Sequence, residues 1–126
     1  MGLDTTHDAW HGPYSAFHLF RQALIAAIGG TYTEVHPAGY DWTYDDAIVP
    51  SEHVAGLSVL LNHSDCDGEI SPDDCLAVAA ALEWVAPRMP DDGAGALSEF
   101  TPRARALQFA KGCRLASEKG EALEFC

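Results

Sequence analysis

Side chains that can bind cations recur along one short acidic segment, residues 63–74. Carboxylates at alternate positions of a turn can point toward a common centre, which is the arrangement that a divalent cation needs. Gly68 lies in the middle of the segment, where a chain wrapped around an ion must turn sharply, and the apolar Ile70 follows it. The segment is therefore a candidate metal site, with possible ligands at His63, Asp65, Asp67, Glu69 (through its carbonyl), Ser71 and Asp74.

The spacing of these residues resembles the ion-binding loop of an EF-hand or a dockerin repeat. Such a loop places ligands at positions one, three, five, seven, nine and twelve, with glycine at six. The first and last positions depart from the pattern, because His63 replaces an aspartate and Asp74 the usual glutamate. Imidazole suits zinc or manganese better than calcium, so the cofactor is predicted to be a divalent ion, either calcium, zinc or manganese. The alternative is a rigid acidic turn without an ion, in which Asp65 and Asp67 bind backbone amides.

A second group of chemically capable side chains lies early in the sequence, where imidazole, carboxylate, indole and phenol groups occur close together. Two histidines four apart beside an acid weakly resemble the zinc-protease helix motif, but Gly12–Pro13 argues against one continuous helix here. One interpretation is a ligand-binding cleft formed by His7, Asp8, Trp10, His11 and Tyr14. The other is that Trp10 and Tyr14 fill the core while the histidines form caps and hydrogen bonds.

The four cysteines contain no pair separated by two residues, so neither a zinc knuckle nor a redox motif is indicated. His63, Cys66 and Cys75 could hold zinc if Cys113 lay close to them. The alternative is that the cysteines are buried free thiols.

The net charge of −12, from nineteen acidic and seven basic residues, disfavours nucleic-acid binding. Such a surface suits cations, basic protein surfaces or small ligands. Basic residues are concentrated in the C-terminal third of the chain, where they could hold a phosphate or form a solvated helix face. They are Arg103, Arg105, Lys111, Arg114 and Lys119.

Apolar residues recur at helical spacing in about four segments, so a mostly α-helical fold is predicted. The acidic loop joins the second and third of these helices. Each helix is predicted to begin at a proline or a capping residue, namely Pro13, Ser51, Ser71 with Pro72, and either Ala96 or Thr101 with Pro102. The predicted breaks are Gly29–Gly30, Pro87 and Gly120.

The remaining segments are predicted to be mostly irregular. Residues 31–50 form an ordered loop that includes one short strand, and residues 91–95 form a linker. The tail at 123–125 is predicted to pair with residues 2–4 as a small two-stranded sheet.

Size and composition predict one domain over residues 1–126, because 48% hydrophobic content is enough to fill a core. No apolar run approaches the roughly 18 residues that a membrane span requires. The opening residues are polar and acidic rather than a signal peptide. We therefore expect a cytoplasmic protein with reduced thiols and no membrane partner.

Three segments together resemble a family of small uncharacterised proteins from actinobacteria, other bacteria and their phages. They are the opening Gly-Leu-Asp-Thr-Thr-His-Asp at 2–8 with Trp10, His11, Gly12 and Tyr14, the central His-Ser-Asp-Cys-Asp-Gly-Glu-Ile at 63–70, and the ending formed by 112–116 and 123–125. The resemblance implies an intracellular, phage-encoded protein. It also joins the two candidate sites, so that His7, Asp8 and His11 would share a pocket with His63, Asp65 and Asp67.

The predicted function is a small intracellular binding protein whose EF-hand-like loop holds a divalent metal, with a small ligand or a host protein as partner. One alternative is a phage counter-defence protein that sequesters a small nucleotide signal or a host factor, with Trp10 or Tyr14 stacking on a base. A second is a metal-dependent hydrolase in which His7 or His11 transfers protons. A binder is favoured over an enzyme because no residue pattern fixes a nucleophile or an anion hole.

Overall fold

The computed structural model describes residues 2–35, 39–63, 68–89 and 101–125. Four α-helices dominate these ranges, which confirms the mostly helical fold. They are α1 (Tyr14–Ala27), α2 (Ser51–Leu61), α3 (Pro72–Val85) and α4 (Pro102–Glu118). Within these ranges, no helix has both the length and the apolar composition needed to cross a bilayer.

Six short strands in the described ranges form three antiparallel pairs. The pairs are β1 (Gly2–Asp4) with β2 (His11–Pro13), β3 (Tyr32–Val35) with β4 (Gly39–Trp42), and β5 (Glu69–Ile70) with β6 (Leu123–Glu124). Between residues 31 and 50 the chain therefore makes a hairpin, where the sequence predicted one strand.

The predicted pairing of the tail with residues 2–4 is wrong. Strand β1 pairs with β2 across the short connection of residues 5–10, which costs less chain entropy than pairing with the distant tail. The tail pairs with β5, at the end of the acidic loop. Residues near the two ends of the chain do meet, and among their contacts is an isolated β-bridge between Thr5 and Phe125.

The helix starts are largely as the sequence predicts. The Ser71 hydroxyl accepts a hydrogen bond from the Asp74 amide at 3.2 Å, and Pro72 opens α3. Thr101 precedes α4 as predicted, although its side chain makes no cap bond. Two predictions are wrong by one residue, because Pro13 belongs to β2 and Pro50 takes the cap position assigned to Ser51. The predicted linker at 91–95 lies outside the described residues.

The centre of the core is an aromatic cluster where α1, α4 and the two ends of the chain meet. Trp10, Phe17, Phe20 and Phe109 are fully buried, and Phe125 is nearly so. Trp10 meets Phe17 edge-on with ring centroids 5.1 Å apart, and Phe125 meets Phe17 edge-on at 6.0 Å. Burying aromatic rings of this size supplies a large share of the stability of so short a chain.

Gly112 on α4 lets the N-terminal turn, Thr6–Asp8, and the following Ala9 approach the helix closely. A Cβ built on Gly112 would lie 2.5 Å from the Cβ of Ala9 and 2.7 Å from its Cα, so any side chain there would push the turn away. The turn seated in this way carries His7 and Asp8. Gly112 therefore determines how close the first candidate residues lie to α4.

Replacing Gly112 with alanine is expected to destabilise the protein, although alanine is the better helix former. Overpacking of this kind costs about 1–3 kcal/mol, which exceeds the roughly 1 kcal/mol that alanine gains over glycine in a helix. Urea unfolding measures the change, and Ser117→Ala in the same helix is the control. If G112A were as stable as the parent protein, the packing of the turn on α4 would be refuted.

Candidate functional site

The acidic segment lies between α2 and α3, so the predicted helix–loop–helix arrangement is present. Gly68 has φ +96°, the left-handed conformation that the sharp turn requires, and Ile70 is buried at 2% exposure. Asp65 and Asp67 lie outside the described residues. Of the twelve loop positions, residues 63 and 68–74 are described, and the positive φ of Gly68 matches the turn that the EF-hand pattern places there.

His63 and Glu69, the first and seventh positions of the loop, are in direct contact. The Nε2 atom of His63 lies 3.1 Å from the carbonyl oxygen of Glu69, so an Nε2–H donates a hydrogen bond to it. The imidazole also packs against Phe125, with ring centroids 4.2 Å apart. Gly68 makes room for the ring, since a Cβ at that position would lie 3.2 Å from its Cε1 atom.

The other described loop residues are arranged less favourably for an ion. The hydroxyl of Ser71 caps α3, and Asp74 is exposed in the first turn of that helix. Within the part of the chain that the structure describes, no three His, Cys, Asp or Glu residues are placed to share a metal. An ion in this loop would therefore depend on Asp65 and Asp67 in addition to His63 and Glu69.

A buried arginine anchors the first residue of the loop. Arg21, on α1, is 1% exposed and donates from Nη2 to the His63 carbonyl at 2.7 Å and from Nη1 to the Tyr32 hydroxyl at 3.0 Å. Its guanidinium lies 4.3 Å from the centroid of the Phe17 ring. Sequence reasoning missed Arg21, although a charged residue one turn after Phe17 on the apolar face of a helix is an available signal.

His7, in the N-terminal turn Thr6–Asp8, is held by hydrogen bonds on both ring nitrogens. His7 and Asp8 have φ +62° and +55°, a backbone conformation that residues other than glycine adopt at a cost in energy. His7 Nδ1 lies 2.8 Å from the Thr6 hydroxyl and Nε2 lies 2.9 Å from the Glu121 carboxylate. The hydrogen bond from His7 holds the pKa of Glu121 below its usual value.

His11 lies between two carboxylates on the protein surface. Its Nδ1 atom is 3.0 Å from Asp4 and its Nε2 atom is 3.0 Å from Asp8. Hydrogen bonds to Asp4 and then Asp8 raise the pKa of the imidazole above its ordinary value. The two carboxylates favour the protonated form of His11, and both ring nitrogens are engaged by hydrogen bonds rather than turned toward a metal or a ligand.

The five residues predicted to bind a ligand do not share one environment in the structure. Trp10 is fully buried, with Phe17 and Phe20 against its ring and the Arg105 guanidinium 4.7 Å from its centroid, so it offers no face to a ligand. For Trp10 the core interpretation is the correct one. Tyr14 begins α1, and its side chain lies outside the described part.

The pocket predicted to join the N-terminal residues to His63, Asp65 and Asp67 stays a prediction, because His63 does not line the cavity beside His7 and the two aspartates lie outside the described residues. His7 lines a cavity of about 480 Å³ together with Glu69 of the loop, Glu121 and Glu124. His11 instead binds Asp4 and Asp8. Strand β6 makes the connection, because it pairs with β5 while its Glu124 amide donates to the Thr6 hydroxyl at 2.9 Å.

Two of the four cysteines are buried free thiols, as one interpretation of the sequence proposed. Cys75 and Cys113 are fully buried and hydrogen-bonded to each other, and Cys75 Sγ also donates to the Ile70 carbonyl at 3.5 Å. The contact with Cys113 lowers the pKa of Cys75, and the same contact together with burial raises that of Cys113. Cys66 and Cys126 are outside the described residues.

No protein-family model matches the chain, and no curated protein or solved structure matches it. The resemblance to uncharacterised bacterial and phage proteins therefore stays a prediction. Its three segments do meet in space, since β6 lies between the N-terminal turn and the end of the acidic loop.

Arg21→Lys is expected to lower the free energy of unfolding by about 2 kcal/mol, because lysine keeps the charge but lacks the planar fork that reaches both oxygens. Chemical denaturation measures the change. Arg88→Lys, at an exposed arginine stacked on Trp84, is the control and should change stability by less than about 1 kcal/mol. Equal stability of the two variants would contradict the anchoring role of Arg21.

The His11 bridge predicts a pH dependence. Because the folded-state pKa is raised, the stabilisation is complete below the unfolded-state pKa of about 6.5. It is lost as the pH rises through the folded-state pKa of His11. An NMR titration of the imidazole proton should give a pKa above that of a free histidine, and Asp4→Asn should lower it. Asp46→Asn, at an exposed aspartate elsewhere, is the control, and an unperturbed His11 in the parent protein would contradict the bridge.

Proposed function

We propose that this chain is a small intracellular binding protein whose EF-hand-like loop takes up a divalent cation. The observation that carries the proposal is the contact between His63 Nε2 and the Glu69 carbonyl oxygen. In the EF-hand pattern these two positions supply ligands to one ion. The two atoms that would be ligands of the same cation therefore already lie next to each other.

The separation of these two atoms suits a shared ion as well as a hydrogen bond. Two ligands at right angles on one octahedral ion, each about 2.1 Å away, lie about 3.0 Å apart, whereas two ligands of a tetrahedral zinc ion lie about 3.4 Å apart. The observed separation is 3.1 Å. His63 and the Glu69 carbonyl would then be neighbouring ligands, with Asp65 and Asp67 supplying the negative charge. The nitrogen donor favours zinc or manganese over calcium.

The charges around the loop support a cation. Glu69 and Glu124 are directly opposite each other in the β5–β6 pair, where like charges are destabilising. Glu121 lines the same cavity. A divalent ion close to these carboxylates would relieve their repulsion and stabilise the β5–β6 pairing. Its contribution would be to fix the loop and the attached strand, which is the role of a binding module rather than of a catalyst.

The buried thiols are consistent with the expected cytoplasmic location. Cys75 and Cys113 touch without forming a disulfide, and unpaired cysteines are the rule in reducing compartments. The partner is proposed to be a small ligand or a host protein that recognises the ordered loop. Hydrolysis is not favoured, because His11 is occupied by two carboxylates and His7 by Thr6 and Glu121.

Isothermal titration of metal-free protein with zinc, manganese and calcium tests the proposal. We expect one equivalent of zinc or manganese to bind and to raise the melting temperature, since an ion at 100 times its Kd stabilises by about 2.7 kcal/mol. Asp65→Ala and Asp67→Ala should each weaken binding about tenfold or more. Asp46→Ala removes one carboxylate outside the loop and should leave binding unchanged.

A second variant tests the role of the first loop position. His63→Asp restores the oxygen ligand of the EF-hand pattern, so calcium should bind more tightly and zinc less tightly than in the parent protein. Protein that binds none of the three metals, with a melting temperature insensitive to all of them, would refute the proposal. Equal binding by the Asp65→Ala, Asp67→Ala and Asp46→Ala variants would place the ion elsewhere.

A further inference from the structure

A groove of about 610 Å³ runs along α4 on the side of the N-terminal turn. Leu107, Lys111 and Leu115 line it at successive turns of the helix, His7 and Asp8 form one rim, and Glu83 of α3 reaches the other. Its volume is in the range of small-molecule sites, which is about 300–1,000 Å³. None of the predicted loop ligands that the structure describes lines this groove.

The turn that forms one rim is fixed in place. Gln108 Nε2 donates to the Asp8 carbonyl at 3.0 Å, and Ala9 packs directly on Gly112. The left-handed conformations of His7 and Asp8 cost energy, and strained backbone of this kind is concentrated at functional sites. A rim held by α4 itself gives a ligand a preformed surface, so little ordering is required on binding.

The two cations of the groove differ in how they are engaged. Arg114 makes a two-pronged ion pair with Glu83, at 2.6 and 2.5 Å, which lowers the pKa of Glu83. Lys111 is exposed, and no hydrogen bond or ion pair to a described residue engages its ammonium group. Lys111 is therefore the cation available to a ligand, while Arg114 neutralises the nearest carboxylate.

Apolar surface flanks this cation on both sides. Leu107 is 47% exposed and Leu115 is 39% exposed, one helical turn before and after Lys111. An ammonium group between two exposed leucines complements a molecule that has one anionic group and an apolar body. Asp8 and Glu118 at the edges of the groove would repel a second negative charge. Polyphosphates therefore fit it poorly.

From this arrangement we infer that the α4 groove binds a small organic monoanion, of the class of medium-chain carboxylates. Lys111 pairs with the carboxylate, and Leu107 and Leu115 cover the hydrocarbon body. The net charge of −12 disfavours the binding of anions in general, so Lys111 has to supply the local attraction.

Titration of ¹⁵N-labelled protein with octanoate at millimolar concentration tests this inference, with EDTA present to keep the loop free of metal. The amide signals of α4 around Lys111 and of the His7–Asp8 turn should shift together. Lys111→Gln should weaken binding about tenfold or more, because a charge-assisted hydrogen bond is lost. Lys119→Gln makes the same change of charge outside the groove and should bind as the parent protein does.

Other probes separate the determinants of binding. Neutral 1-octanol should bind much more weakly than octanoate, and adenosine monophosphate, with its second charge, should not compete with it. The inference is overturned if octanoate shifts no α4 signals, or if Lys111→Gln binds as tightly as Lys119→Gln. It is also overturned if octanol binds as well as octanoate, since the cation would then play no part. The spectrum of each variant reports on its fold, so loss of structure is recognised directly.

Discussion

The rest of the site depends on the backbone contacts of strand β6 and of Phe125, which follows it. Phe125 inserts into the aromatic core, and its amide donates to the Gly68 carbonyl at 2.9 Å. The neighbouring Glu124 amide donates to the Thr6 hydroxyl. Two backbone amides in succession thus hold the acidic loop on one side and the N-terminal turn on the other. Strand β6 therefore supports both segments at once.

The loop is also held from the opposite side by Arg21. A guanidinium buried beside Phe17 binds the carbonyl of His63, so the first loop residue is fixed to α1 while residues 68–70 are fixed to β6. A loop restrained at both ends pays little of the ordering cost when an ion binds. Its stability in the absence of an ion rests on these contacts, and a cation would add to them.

Local signals predicted the helices and the ends of the loop well. Helical spacing, the Ser71–Pro72 start and the turn at Gly68 depend on a few neighbouring residues, and each is present as expected. The pairing of β6 with β5 joins two-residue strands that are far apart in sequence. The spacing of apolar residues along the chain therefore could not predict it. The burial of Trp10 was one of two open interpretations, because an indole near two histidines suits a core as well as a cleft.

A crystal structure of protein grown with zinc, with anomalous diffraction recorded at the zinc edge, is the most direct measurement. We predict an anomalous peak about 2.1 Å from His63 Nε2 and close to the Glu69 carbonyl oxygen, with carboxylates of the acidic segment completing the shell. A well-ordered loop without a peak, in which His63 still donates its proton to Glu69, would contradict a cation site and leave a loop closed by a hydrogen bond alone.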